Sequence, residues 1–295
     1  MTHSIQSPRK QRRKTSVATY EFEAIGTPWW LERLDGNEFD EPTKRALRAY
    51  ADEFDRRYSR FRDDSLIAEL AENGVVRRIP TELFRMLNFA SALYNDTDGV
   101  FTPLVGGALQ RLGYGKLQGT ISAGTNLSSK DSGLAWNKRS VRVNKGVVLD
   151  FGGFGKGWLI DEYAKILRRH KVKEFIINGG GDLYVQASEP ISFALEHPYN
   201  PTLKIGDIRI QKGALAASST VKRAWDHNGQ RQHHIIDPAT GKSSDSDVVA
   251  SFVCAHTALV ADSLATVLII RPELRTKLET LYNVETALIT DDQLA

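Results

Sequence analysis

The sequence predicts an α+β fold, a sheet layered with helices. Two observations carry this. Segments with helical spacing and segments with strand character are interspersed along the chain without the strict β-α repeat of a doubly wound fold. The 295 residues, 41% hydrophobic and 25% charged, have the composition of a globular chain able to bury a substantial core.

Taken in order, residues 1–18 hold the cluster Arg9, Lys10, Arg12, Arg13 and Lys14 and predict a basic disordered tail. Residues 19–295 predict one domain. Tyr20 to Leu34 reads as an extended hairpin-like opening around a Gly-Thr-Pro turn, with Pro28 disturbing the register. Helices follow over about Pro42 to Phe61, where Leu47, Tyr50, Phe54 and Tyr58 recur at helical spacing, and over about Thr81 to Tyr94. Between them, Ser59 to Gly74 reads as a turn and a short helix. The Gly-, Ser- and Thr-rich stretch 117–134 predicts an irregular insertion. VRVNKGVVLD and KEFIIN read as strands on either side of a helix from Lys156 to His170. ISFALEH, KIGDIRI and VVASFVCA are further strands. A long helix over Thr257 to Ile270, a shorter one near Glu273 to Tyr282 and a last strand, ETALIT, complete the chain.

Composition excludes several classes. The formal net charge is +3, and subtracting the five positives of the tail leaves the remainder at −2, so nucleic acid is not an expected partner. No apolar run reaches membrane-spanning length, and the N-terminal residues show neither a secretion signal nor a lipoprotein cysteine, so a cytoplasmic location is expected. The single cysteine, Cys254, lies in an apolar stretch and is expected to pack as a small hydrophobe.

Four motifs carry chemistry. LDFGGFGKGWLID, from Leu149 to Asp161, reads as a strand, a glycine-dense turn and a helix start, an arrangement that brings backbone N–H groups to a phosphate with Lys156 beside it. It matches neither the P-loop nor the dinucleotide fingerprint, and a tight connection with no ligand is the alternative. In NGGGDLYV, Asp182 follows three glycines and offers an acceptor to a ligand, or else caps the turn. HHIIDPATG places His234 and Ile236 on one strand face and His233 and Ile235 on the other, so one imidazole can serve a site as a base. His233 reads as a hairpin-corner residue, and His227, in DHNG, as a turn residue. In HTALVADSLATVLII, Asp262 and Thr266 stand four apart on one face of an apolar helix. A carboxylate there needs a partner, either a metal such as Mg²⁺ or a buried lysine.

The ordered series of these motifs, with Gly26-Thr27, the turn before Ser65, GVFTPLVG from Gly99, and AASS followed by Arg223, resembles the ApbE-type FAD:protein FMN transferases over about Ile25 to Ile289. The resemblance implies an α+β, T-fold-related architecture with a mixed, largely antiparallel sheet layered with helices, FAD as substrate and Mg²⁺ as cofactor. It implies transfer of FMN onto a Ser or Thr of an acceptor protein, with release of AMP. By motif, Asp262, Thr266 and the Gly155 carbonyl would hold the metal, and His234 would be the base. Lys156, Gly180, Asp182, Ser218, Arg223 and Asp237, with Tyr58 and Phe101, would line the FAD site. The chain departs from the family pattern at Thr102 and Leu104, at Ala217 and Ser219, at Ala239 and at Gly155. An FAD pyrophosphatase, a flavin-binding carrier and a nucleic-acid-associated protein are the competing readings.

Overall fold

The structure, a computed structural model, describes residues 18–115 and 133–294. The basic cluster of the tail and nearly all of the 117–134 insertion lie outside these residues. The first hairpin pairs β1 (Ala18–Ala24) with β2 (Thr27–Arg33). Its Ile25-Gly26 turn takes positive φ at both positions, the geometry that matches strand twist, so Pro28 is accommodated opposite Glu23 without a register shift. Helix α1 (Glu41–Tyr58) starts at Asp40, whose carboxylate accepts from the Thr43 N–H. Helix α2 (Leu66–Asn73) is capped by Ser65 and stopped by Gly74 in the left-handed conformation.

A small sheet of β3 (Val75–Arg77), β4 (Ala135–Asn137) and β5 (Ser140–Arg142) flanks α3 (Thr81–Asp96). VRVNKGVVLD is therefore a strand only at its start. The chain turns at Gly146, with φ +84°, and runs on to Asp150 outside any strand, the Asp150 N–H donating to the Pro103 carbonyl at 2.7 Å. GVFTPLVG, for which no element was expected, forms a 3₁₀ turn and helix α4 (Gly106–Arg111), with the Thr102 hydroxyl accepting from the Leu104 N–H.

After helix α5 (Gly155–Arg169) come β6 (Phe175–Gly179) and two long strands, β7 (Asp182–Glu196) and β8 (Lys204–Ser219). Each long strand extends beyond the one segment that reads as a strand in sequence, ISFALEH and KIGDIRI, to take in DLYV and ALAASS respectively. Short hairpins follow: β9 (Ala224–His227) with β10 (Gln230–His233), and β11 (Ile236–Asp237) with β12 (Lys242–Ser243). His234 and Ile235 lie between β10 and β11 rather than within one strand, so the predicted alternation of the two histidines across a strand does not hold. Strand β13 (Val248–Ala255), helices α6 (Ala258–Ile270) and α7 (Arg275–Tyr282) and strand β14 (Glu285–Thr290) complete the chain.

The main sheet has seven strands in the order β1-β2-β6-β7-β8-β13-β14, every neighbouring pair antiparallel. Strand alternation divides the apolar residues between its faces. Ile177, Tyr184, Ala216 and Val253 join the core beneath the helices, whereas Ile176, Val185, Leu215 and Phe252 form a second cluster on the opposite face, with Cys254 half-buried against it. Helix α6 is apolar on nearly every side because it is enclosed by β8, β13 and α5. No helix among the described residues is long and apolar enough to cross a membrane.

Candidate active site

The site forms where the first turn of α5, the start of β7, the end of β8 and the middle of α6 meet. Two-residue turns set its edges. Gly180 and Gly181 take positive φ between paired Gly179 and Asp182, which starts β7 with Asp182 directed at α5. A methyl group on Gly180 would stand 2.5 Å from the Thr27 hydroxyl, so the two hairpin tips pack too closely for any side chain there.

Asp182 and Asp262 are 1% and 3% exposed, and Lys156 lies between them. The Lys156 ammonium donates to Asp182 Oδ2 and, at 2.8 Å, to Asp262 Oδ1. The second oxygen of each carboxylate accepts a backbone N–H: Asp182 Oδ1 from Ala217 at 3.0 Å, Asp262 Oδ2 from Gly157 at 2.9 Å. Burial pushes the Asp262 carboxyl up to about 6 against the opposing pull of Lys156, while the two carboxylates hold the lysine above its ordinary range. The buried-lysine partner for Asp262 is therefore present. One turn along α6, Thr266 Oγ1 lies 3.3 Å from Ser218 Oγ.

The contact between α5 and α6 sets this geometry. A Cβ on Gly157 would sit 2.3 Å from the Ala258 carbonyl oxygen, so only glycine permits the approach. Asp161, one turn further along α5, accepts from the N–H groups of Ala258 at 2.9 Å and Leu259 at 3.0 Å and so caps α6 from outside, beside the helix's own Thr257 cap. Sequence reasoning missed this role. Asp161 stands four residues after Gly157, a helical repeat that marks a shared face, but nothing local names the helix it caps.

Arg60 was missed as well. Its buried guanidinium pairs with Asp150, whose other oxygen accepts the Gly152 N–H, so the ion pair fixes the glycine turn from behind. The same guanidinium stacks 4.1 Å from the Phe61 ring centroid and 5.1 Å from that of Tyr114.

The remaining predicted residues lie in several places. Gly155 is the first residue of α5. His234 is half-buried with an enclosed Nδ1 that has no hydrogen-bond partner, and burial, helped by the charges of Arg223 and Lys156, pushes its imidazole down to about 3. Arg223 is exposed. Tyr58 and Phe101 are core residues under the glycine turn, against Phe151 and Phe154 respectively. Asp237 spends both carboxylate oxygens inside the protein, accepting from the Ala239 N–H at 2.9 Å and from Arg271 at 3.0 Å. His233 braces its corner: Nδ1 accepts from the Ile235 N–H, so Nε2 donates to the Ser244 carbonyl at 2.9 Å. His227 is half-buried beside Gly113, before an Asn228-Gly229 turn with positive φ at both residues.

Comparison with known proteins places the chain and its fold. A model of the ApbE family matches residues 20–286. The chain belongs to the ApbE family. It is 22% identical over 286 residues to the FAD:protein FMN transferase of Haemophilus influenzae, covering 89% of this chain and 83% of that protein. With the FAD:protein FMN transferase of Treponema pallidum it is 25% identical, covering 70% and 64%. Among solved ApbE structures, the Thermotoga maritima protein superposes with a TM-score of 0.80 at 21% identity, covering 94% of this chain and 95% of that one. The flavin transferase ApbE of Vibrio cholerae gives 0.76 at 18%, covering 93% and 94%. The ApbE fold thus carries the α+β reading of the sequence.

Proposed function

We propose that this chain is an Mg²⁺-dependent FAD:protein FMN transferase, which attaches FMN through a phosphoester bond to a Ser or Thr of an acceptor protein and releases AMP. Family membership and the names of its relatives support the reaction class. The convergence of Lys156, Asp182, Ser218, Asp262 and Thr266 at the glycine turn is the observation that carries it.

The donor set fits a hard divalent cation. Two buried carboxylates hold more negative charge than one ammonium cancels, and carboxylate, hydroxyl and carbonyl oxygens are the ligands Mg²⁺ prefers. Asp262 and Thr266, with the Gly155 carbonyl, would hold it. When bound, Mg²⁺ supplies charge neutralisation to a pyrophosphate.

The protein's own groups do the rest. The Arg60–Asp150 pair holds the glycine turn in place for the ligand. His234 is neutral at physiological pH and can take a proton from the acceptor hydroxyl. As free protein it is a weak base, but the Arg223 and Lys156 charges that help to hold it down are those an anionic ligand would offset. Ligand binding would relieve that part of the depression, burial supplying the larger part. Asp237 acts at a distance, pinning the turn after His234 to Arg271 at the end of α6.

Incubation with FAD, Mg²⁺ and candidate acceptors, read by in-gel flavin fluorescence and AMP release, tests the reading. A fluorescent acceptor together with AMP is expected. AMP with no labelled acceptor across the set would point to a pyrophosphatase, and tight FAD binding without AMP to a carrier.

A further inference from the structure

The Lys156 ammonium takes the one open oxygen of each buried carboxylate, because Ala217 and Gly157 N–H groups occupy the other two. Any cation that comes to Asp262 Oδ1 must meet Lys156 there. We propose that Lys156 is the resident counter-ion of this pocket, that a divalent cation binds by displacing it from Asp262, and that the displaced ammonium is taken up by the pyrophosphate of the incoming ligand. The proposal rests on the transferase reading of the site.

Charge counting gives the consequence. With Lys156 alone, the two carboxylates leave one negative charge in excess. A divalent cation added to this cluster turns the excess into one positive charge, which is unfavourable in a buried site until an anion compensates it. A pyrophosphate diester supplies two negative charges. Metal and anionic ligand therefore each bind weakly alone and favour each other, and by linkage the factor is the same in both directions. Lys156 is the element both ligands act on. It is 17% exposed as a side chain while its two partners are almost wholly enclosed, so the lysine can swing outward and the carboxylates cannot.

The test measures Mn²⁺ binding by electron paramagnetic resonance with and without FAD, and FAD binding by fluorescence quenching with and without Mn²⁺, in the absence of acceptor. In the wild-type protein each should tighten the other by roughly tenfold. In Lys156→Gln, which keeps a donor for one carboxylate, Mn²⁺ alone should bind more tightly than to wild type and the mutual tightening should fall toward one. Lys156→Gln binding Mn²⁺ no more tightly, or retaining the full coupling, would overturn the proposal. So would independent binding of Mn²⁺ and FAD in the wild-type protein, a result that needs no variant to fold. Asp262→Asn separates this from the underlying reading: if it binds Mn²⁺ as wild type does, the metal assignment itself is lost, whereas loss of Mn²⁺ binding with unaltered Lys156→Gln behaviour removes only the counter-ion role.

Discussion

Two glycines two positions apart behave oppositely, and their surroundings say why. At Gly155 an added methyl would meet the Phe54 ring at 3.8 Å and the Phe151 Cβ at 4.0 Å, ordinary contacts, and the backbone is already helical. Gly155→Ala should leave stability unchanged or raise it by up to about 1 kcal/mol in urea unfolding. At Gly157 the methyl would collide with the Ala258 carbonyl, a backbone atom that cannot step aside. Gly157→Ala should cost about 1–3 kcal/mol and lower turnover, because the shift moves Asp262. Asp262→Ala should abolish Mg²⁺-dependent AMP release while FAD fluorescence quenching persists. Both glycines were legible in sequence as part of one strand-to-helix junction. Which of them tolerates a side chain was not, since the obstructing atom is about a hundred residues away.

Helix α6 shows how an element is placed by another. Its apolar residues and the Asp262–Thr266 spacing were readable, because burial on all sides and the four-residue repeat are properties of the segment itself. Its position depends on Asp161 of α5, whose carboxylate faces the positive end of the helix and takes two of its free N–H groups. Asp161→Ala should cost about 1–2 kcal/mol in thermal or urea unfolding, with AMP release reduced and a raised requirement for Mg²⁺. Asp161→Asn, which keeps an acceptor, should recover part of both. The strands show the converse limit. ETALIT and VVASFVCA were found at their true bounds, yet VRVNKGVVLD was read as a strand throughout, because extended apolar sequence does not say whether a neighbour is there to pair with it.

At the scale of the whole molecule, burial at the site makes stability depend on pH. His234 falls from its ordinary 6.5 to about 3 in the folded protein, so between these values the unfolded chain binds the proton and the folded one does not. Stability from this group is therefore complete above pH 6.5 and is lost as pH falls toward 3. Asp262, raised from 3.8 to about 6, acts in the opposite sense: the folded protein holds the extra proton between those values, and stability falls as pH rises through them. The two overlap, so the comparison of wild type with His234→Gln isolates the first. Wild-type stability minus that of the variant should rise between pH 3 and 6.5 and level off above it, read from urea unfolding at each pH. A flat difference would mean that the imidazole is solvated.

By itself the sequence determined most of the segments, the order of the motifs and, through that order, the family. Turns, caps and periodicity are set by residues within a few positions of one another, and Gly180-Gly181, Ser65, Thr257 and the apolar run of α6 needed no distant partner to declare themselves. The tertiary structure alone decided that Lys156 lies between Asp182 and Asp262, that Arg60 braces the glycine turn, that Asp161 caps α6, and that Tyr58, Phe101 and Asp237 face inward. Each of these depends on which side of an antiparallel sheet a residue occupies and how closely two helices approach, and those distances are fixed by packing between segments 26 to 106 residues apart rather than by any local pattern.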